Sequence, residues 1–430
     1  MVIRPGATAI WTDPWLFGSA FNNSWELLGP APKPPGDLEE IQYLWISHEH
    51  PDHFHIPTLR SLPESFKRRV TVLFQSTNSR KMFEAFQKMG YPNRQLLLSR
   101  LLLRLPGSDA CVYCYPVGQM DSALGVAWAG TSVLNVNDCE LDAHDCRTIR
   151  REFGAPDLLL NQFSIAGYSG LPDAPARLDL LAAKVLHRMA ETHRDVEASI
   201  TIPIASFAYF SREDNAYING HANRPSDVVR YLGEQRLDTL VLGPGDTVTV
   251  GKEQDSARAI TFWERAFDDV ATRELAPSET TGIEEIEASF HARVIELRKK
   301  FPGAALRVLR TLVVEVSDLG VRVAMNFAHG TFEVDSVPTA QADVVMNSQP
   351  LWFMLSQPFG MQTLGVSGRY QLTDERSFGK WRRHRILFAM DNAEVYLRPS
   401  RLFSRANLDY ARTRYESLPR QLAFQFRRMR

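Results

Sequence analysis

The stretch 44–62, LWISHEHPDHFHIPTLRSL, constrains this chain more than any other. It opens as an apolar strand through Leu44, Trp45 and Ile46, then places His48, His50, Asp52 and His53 within six positions. Imidazoles and carboxylates are the donors that a borderline divalent metal takes. Pro57 suits the first turn of a helix, and Leu59 and Leu62 are spaced to bury one helical face. The ligands therefore fall on a strand-to-helix turn, where open α/β sheets place their chemistry. His48 and His50, two apart on extended backbone, project the same way, whereas Asp52 and His53 leave a tightening turn toward a second position. One short segment can thus feed two adjacent metals. A lone histidine is more often a surface or satisfied core residue, but four ligands in so short a span behind a hydrophobic strand point to metal. His55 is the ambiguous member, because it shares the parity of His53 where strand geometry is expected to be lost.

At 430 residues the chain exceeds the usual size of one hydrophobic core, so two domains are expected. The formal net charge of −1 gives no push toward nucleic acid or an anionic membrane. No apolar run reaches the length of a membrane span, and the first residues lack the layout of a signal peptide. A cytoplasmic location without membrane insertion is the expectation. Cys111 and Cys114 form a CxxC inside a Val- and Tyr-rich stretch that reads as strand, where an odd offset puts them on opposite faces. A zinc knuckle with Cys139 and Cys146 is not expected, and reduced, buried thiols are.

Residues 9–12 read as the first strand, so near residue 1 that a preceding strand is expected to be missing or short. Residues 17–37, rich in Gly, Asn and Pro, read as a long loop that could wall a pocket, carrying Phe17, Phe21, Trp25 and Leu27. Strands are expected at 70–74, 111–117, 123–128, 132–136, 157–162 and 198–208, with a helix over 79–89 capped by Gly90. Asp138 ends one of these apolar strands, as a carboxylate bridging two metals would; an aspartate there is also an ordinary turn former. The recurring strand, helix and polar strand end argue a layered α/β domain with its site along one edge.

The HxHxDH pattern of His48 to His53 resembles the metallo-β-lactamase superfamily, an α/β fold of four αββα layers. Within it, the chain looks most like the catalytic part of the CMP-N-acetylneuraminate hydroxylases and their bacterial relatives. Thr12-Asp13-Pro14-Trp15, Met120-Asp121-Ser122, Leu134-Asn135 with Asp138-Cys139, Ala166-Gly167 and Gly243-Pro244-Gly245-Asp246-Thr247 carry the likeness, in order, across residues 9–251. The Rieske iron–sulfur module of the hydroxylases has no counterpart in this sequence, which contains no paired Cys-x-His motif. The resemblance implies two further histidine ligands at the positions of Val117 and Arg212. Valine cannot ligate and arginine repels a cation. The implied metal set is therefore His48, His50, Asp52, His53 and Asp138, with His221, Gln119 or Glu213 as possible substitutes. Arg212 could instead hold a substrate anion or form a structural ion pair; Asp52 and Arg212 are the candidate catalytic residues.

The second half reads as helices over 255–274 and 282–301, then strands over 306–316, 321–327, 330–334 and 342–346. The stretch 342–370 weakly resembles sterol-carrier-protein-2-like domains, an α+β fold with an apolar tunnel. Phe353, Met354, Leu355, Phe359 and Met361 would line such a tunnel or simply make a core. The basic, aromatic tail 398–430 reads as a solvated helix packed on the body in preference to a nucleic-acid surface. The expected organisation is a metal-binding domain over 1–254, a helical connector over 255–300 and a smaller α+β domain over 301–430.

Such a site permits two enzymatic chemistries. The resemblance favours a non-haem diiron oxygenase, a monooxygenase acting on a small organic metabolite in specialised metabolism, with iron as cofactor and electrons from a separate donor protein. Zinc would suit a hydrolase of an ester, lactone or phosphodiester. A third reading is a non-enzymatic ligand-binding protein on a degenerate site.

Overall fold

The computed structural model describes residues 1–408, apart from 35, 77–80, 119, 169, 172–173, 336–341 and 405–406. Most of the basic tail and the candidate ligand Gln119 lie outside the described residues.

A five-stranded sheet runs in the order Val2–Ile3, Ile10–Thr12, Tyr43–Ile46, Thr71–Gln75 and Arg94–Leu97. Its first pair is antiparallel and the others are parallel. A six-stranded sheet faces it, in the order Ile200–Ile204, Leu158–Gln162, Thr131–Asn137, Asp121–Trp128, Cys111–Val117 and Leu102–Arg104. Strand parity decides what lies between them. Ile10, Trp45 and Leu73 point inward against Val112, Leu124, Leu160 and Ile202. Their neighbours Leu44, Ile46 and Val72 point outward and are covered by Leu59, Phe66 and Phe86, from helices Ile56–Ser61, Glu64–Arg69 and Lys81–Lys88. On the far side Tyr113, Leu134 and Leu159 pack under Ile149 and Val196, from helices Ala143–Glu152 and Ala174–Val196. The result is the helix–sheet–sheet–helix order expected from the resemblance. Strands buried on both faces need continuous apolar runs, which is why Tyr43–Ile46 is buried at every position.

The structure adjusts several expectations. A strand does precede residues 9–12, but it has only two residues, Val2–Ile3. The long 17–37 loop contains Ser19–Ala20 and Trp25–Leu27, which pair with each other, and Trp25–Leu27 also pairs with Ala208–Phe210 to make a small third sheet. The strand expected over 198–208 is therefore two strands in two sheets, divided where Ala205 takes a φ of 56°. The 306–316 strand begins only at Leu312, after the short helix Gly303–Arg307. Cys114 lies between the main sheets, whereas Cys139 and Cys146 lie outside them; all four cysteines are free thiols.

The last third builds a second five-stranded sheet, ordered Thr331–Val334, Val321–Asn326, Leu312–Val316, Val344–Met346 and Gln371–Leu372. Helix Ile283–Lys300 packs Ile286, Phe290, Val294 and Leu297 onto it. The preceding helix, Ala257–Val270, instead packs Trp263, Ala266 and Phe267 against Phe163 and Tyr209 of the first unit. The expected connector is thus divided between the two units. Of the residues considered for a tunnel, Met354, Leu355 and Met361 are in the core, and Phe359 is 48% exposed.

A polar seam joins the units. The buried Arg369 guanidinium donates from Nε to both Asp214 oxygens at 2.9 and 3.0 Å, and from Nη1 to Gln349 Oε1 at 3.2 Å. Asn22 and Gln349 exchange amide hydrogen bonds of 2.9 and 2.8 Å. Gly167, with a φ of +109°, lets this seam close: a Cβ there would sit 2.9 Å from the Val366 backbone.

Candidate metal centre

Strand Tyr43–Ile46 delivers the chain into the space at the sheet ends, and the turn begins at once. The N–H groups of His53 and Phe54 both donate to the His50 carbonyl, at 3.1 and 2.7 Å. The turn swings His53 back beside His48, whose ring centroid lies 4.3 Å away. His55 is carried out of the cluster. It is the N-cap of helix Ile56–Ser61, and its Nδ1 accepts from the Thr58 N–H at 3.2 Å.

Asp138 stands between two groups of donors. Its Oδ2 lies 3.7 Å from His48 Nε2, and its Oδ1 lies 3.6 Å from His53 Nε2. On the His48 side are His50, with Nδ1 at 2.7 Å from His48 Nε2, and Asp121, with Oδ1 at 3.9 Å. On the His53 side is Asp52, whose Oδ2 lies 3.4 Å from His53 Nε2. Two trios, His48/His50/Asp121 and His48/His53/Asp138, each gather their donor atoms within 4.8 Å. Three imidazoles and three carboxylates therefore converge. Donors held about 2.1 Å from a common ion lie about 3.0–3.5 Å apart, close to the separations present. Asp52 Oδ1 and Asp138 Oδ1 are buried with no hydrogen-bond partner. Buried carboxylate oxygens are costly to leave in that state unless a cation meets them. The residues fit a metal centre.

A further layer holds these rings in place. Asp13 Oδ2 lies 3.0 Å from His53 Nδ1, and Asp13 Oδ1 accepts the Ser47 N–H at 2.8 Å. Ser47 Oγ contacts His48 Nδ1 at 2.9 Å. With a hydrogen on each Nδ1, both Nε2 lone pairs face the cluster, the tautomer a metal requires. Asp13 takes a φ of 40° to reach back over the strand end, and Asn137 takes one of 42° immediately before Asp138. The ladder to the neighbouring parallel strand also slips between Asn135 and Asn137, turning Asp138 out of the strand and into the site.

The electrostatics without a cation are those of crowded acids. Burial, reinforced by the neighbouring charge of Asp138, pushes the Asp121 carboxyl up to about 6. Asp138 is raised by burial as well. Burial keeps His48 neutral, holding it well below the usual histidine range, and the neighbouring His53 and His50 add to this. Burial would also lower His53, but Asp52, Asp138 and Asp13 outweigh it and raise the ring well above its usual value.

The structure brings His48, His50, Asp52, His53 and Asp138 together and leaves His221 and Arg212 aside. His221 Nδ1 is paired with Asp179 Oδ1 at 2.7 Å on the long helix. Arg212 donates from Nε to the Asn23 carbonyl at 2.7 Å and from Nη1 to the Pro277 carbonyl at 3.2 Å, so it ties loops together. Glu213 is exposed. The residue missed by sequence reasoning is Asp121. It is the cross-strand partner of Val117 in the antiparallel ladder. Directly opposite residues on such a ladder point to the same region, so a carboxylate stands beside the position where the resemblance implied a histidine. The available signal was an acidic residue opening an apolar strand within the Met120-Asp121-Ser122 marker.

A cavity of about 600 Å³ opens beside the centre. Asp13, Asp52, His53 and Asn137 border it, and so do Trp25 and Leu27 of the former loop, which thus does wall a pocket. Among the described residues no helix is long and apolar enough to cross a membrane.

No family model matches the chain. It is 26% identical over 270 residues to the cytidine monophosphate-N-acetylneuraminic acid hydroxylase of Danio rerio, covering 57% of this chain and 43% of the fish protein. It is 27% identical over 273 residues to a putative Rieske 2Fe-2S iron–sulfur protein of Mycobacterium tuberculosis, covering 57% and 51% of the two chains. The chain thus spans about half the length of these relatives. Among solved structures it is similar to CmlA, a diiron β-hydroxylase from Streptomyces venezuelae. That likeness has 14% identity and a TM-score of 0.38, over 56% of this chain and 51% of the other. The chain thus combines a helix–sheet–sheet–helix layer order with sequence similarity, through more than half of its length, to the CMP-N-acetylneuraminic acid hydroxylases.

Proposed function

We propose that this chain is an oxygenase that hydroxylates a small organic molecule at a pair of iron ions. The observation that carries the reading is Asp138 placed between two donor groups, one oxygen toward His48 and the other toward His53. His48, His50 and Asp121 would hold one ion, Asp52 and His53 the other, and Asp138 would bridge. A set of nitrogen and oxygen donors without thiolate suits iron. The nearby Cys139 does not change this, because burial holds its thiol proton well above the usual range. The names of the relatives, a hydroxylase and an iron–sulfur protein, favour oxygen chemistry over hydrolysis.

Bound iron would supply the redox chemistry that activates O2 toward a C–H bond. The chain's residues orient and exclude. Asp13 and Ser47 fix the His53 and His48 rings, and the cavity would present a substrate to the Asp52 and His53 side. Converting C–H to C–OH with O2 consumes two electrons and two protons and releases one water. The two electrons would come from a separate iron–sulfur donor protein.

Elemental analysis of protein purified without added metal or chelator, beside His50→Ala, tests the reading. About two irons per chain, reduced in the variant, with O2 consumption on addition of a reductant, is the expected result. Zinc together with ester or lactone turnover and no O2 consumption would establish the hydrolase instead. Absence of metal from both proteins refutes either enzyme.

A further inference from the structure

The walls of the cavity indicate what kind of molecule it takes. Trp25, Leu27, Ile165, Phe207, Phe267 and Val270 make much of its surface. Several polar side chains on the wall are committed to the chain's own backbone. Asn219 exchanges two 2.8 Å hydrogen bonds with Phe210. Ser206 Oγ accepts from the N–H groups of Phe163 and Ser164. Asn137 donates to the Ser122 carbonyl and accepts from the Asp138 N–H. A ligand rich in hydroxyl groups would find few open partners and would lose its hydration without replacement.

Two arginines border the same cavity, and they differ. Arg224 is neutralised by Glu264 at 3.0 Å and Asp268 at 2.7 Å. Arg273 has no carboxylate within ion-pair distance among the described residues; its guanidinium lies over the Tyr209 ring, 4.7 Å from the centroid. It lines both the inner cavity and an outer groove that also includes Gly29, Phe262 and Arg265. Arg273 thus stands where the cavity meets the surface, with Asp52 and His53 also on the cavity wall. A guanidinium carries five N–H donors, so one held against the Tyr209 side chain still has donors to offer a carboxylate.

We propose that the substrate is a largely apolar monocarboxylic acid whose carboxylate pairs with Arg273 and whose hydrocarbon part extends toward His53 and Asp52, so that oxygen enters at a carbon remote from the carboxylate. This rests on the oxygenase reading for the reacting end and on the cavity alone for the acid. The balance is that given above: R–H, O2, two electrons from the iron–sulfur donor and two protons yield R–OH and water. A volume of about 600 Å³ is within the usual range for a ligand of drug size.

Calorimetric titration with decanoate, and with 1-decanol as its neutral counterpart, tests the assignment. Wild type, Arg273→Gln and Arg273→Lys are compared, with metal content measured on the same samples. Decanoate is expected to bind wild type, to weaken tenfold or more in Arg273→Gln and to recover partly in Arg273→Lys, while 1-decanol and metal content respond to neither change. Failure of metal-loaded wild type to bind decanoate, or an affinity within twofold in Arg273→Gln, overturns the assignment and leaves the metal centre standing. Protein that holds no metal but shows the full Arg273 effect upholds the acid site and refutes the oxygenase.

Discussion

On the two-iron proposal, replacing Asp13 should weaken one metal ion and spare the other. Its carboxylate reaches His53 Nδ1 at 3.0 Å and accepts the Ser47 N–H at 2.8 Å, and its side chain is only 12% exposed. A charge-assisted hydrogen bond of this kind contributes about 1.5–3 kcal/mol. Carboxylates behind a ligating histidine typically change metal affinity by about 10–100-fold, or about 1.4–2.7 kcal/mol, so the two estimates agree. In Asp13→Ala the His53 ring keeps only its 3.1 Å contact with Ser47 Oγ and is free to rotate or change tautomer. Asp13 makes no hydrogen bond or ion pair with His48 or His50 among the described residues, so the ion on their side should bind as before. Competition with a chromogenic chelator under anaerobic iron(II) should therefore become biphasic, with one equivalent weakened by about tenfold or more. Asp13→Asn, which retains an acceptor, should fall between the two. Circular dichroism must show the same fold in all three proteins. Two equivalents within about threefold of wild-type affinity in folded Asp13→Ala would refute the positioning role.

Two further expectations concern the second unit. Asp391→Ala removes the partner of Arg293, at 3.0 Å with both side chains nearly inaccessible; unfolding by denaturant should show a loss of about 3–5 kcal/mol, with Arg293→Met/Asp391→Leu recovering much of it. His384 is pushed down to about 4 by burial. Its unfolded form takes up a proton at higher pH than the folded form, so its contribution to stability is complete above about 6.5 and is lost as pH falls toward 4. The limiting loss is about 3 kcal/mol, and the pH dependence of chemical denaturation should flatten over that window in His384→Leu.

Local signals in this sequence were strong where the physics is local. The strand, turn and helix around His48 to His53 follow from an apolar run, a ligand-rich turn and Pro57, all within 19 residues in 44–62. The parallel strands Tyr43–Ile46, Thr71–Gln75 and Leu158–Gln162 were visible as apolar runs because both faces are buried, whereas the half-exposed Arg94–Leu97 carried no such signal. Asp138 was visible as an acid ending such a run. Residues 17–37 were harder, because the central strand of their small sheet, Trp25–Leu27, is flanked by Ser19–Ala20 on one side and by Ala208–Phe210, nearly two hundred residues away, on the other. Short edge strands carry little propensity of their own, and their existence is a tertiary fact.

Side-chain fate is still less local. Arg212 and His221 had suitable chemistry, but the folded chain offers Arg212 two backbone carbonyls and His221 the Asp179 carboxylate. Asp121 had no special signature until the ladder set it opposite Val117 beside His48. Arg273 became significant only when the fold placed it on the cavity wall without an acidic partner, while giving Arg224 two. Residue type and spacing determined the layered architecture and the four candidate ligands of the turn, because backbone periodicity and donor chemistry act over a few residues. The tertiary structure decided that Asp121 joins the cluster, that Arg212 and His221 are tied elsewhere, and the shape of the cavity. Each of those depends on which distant segments share a sheet edge, and burial then makes it costly for any polar group there to remain without a partner.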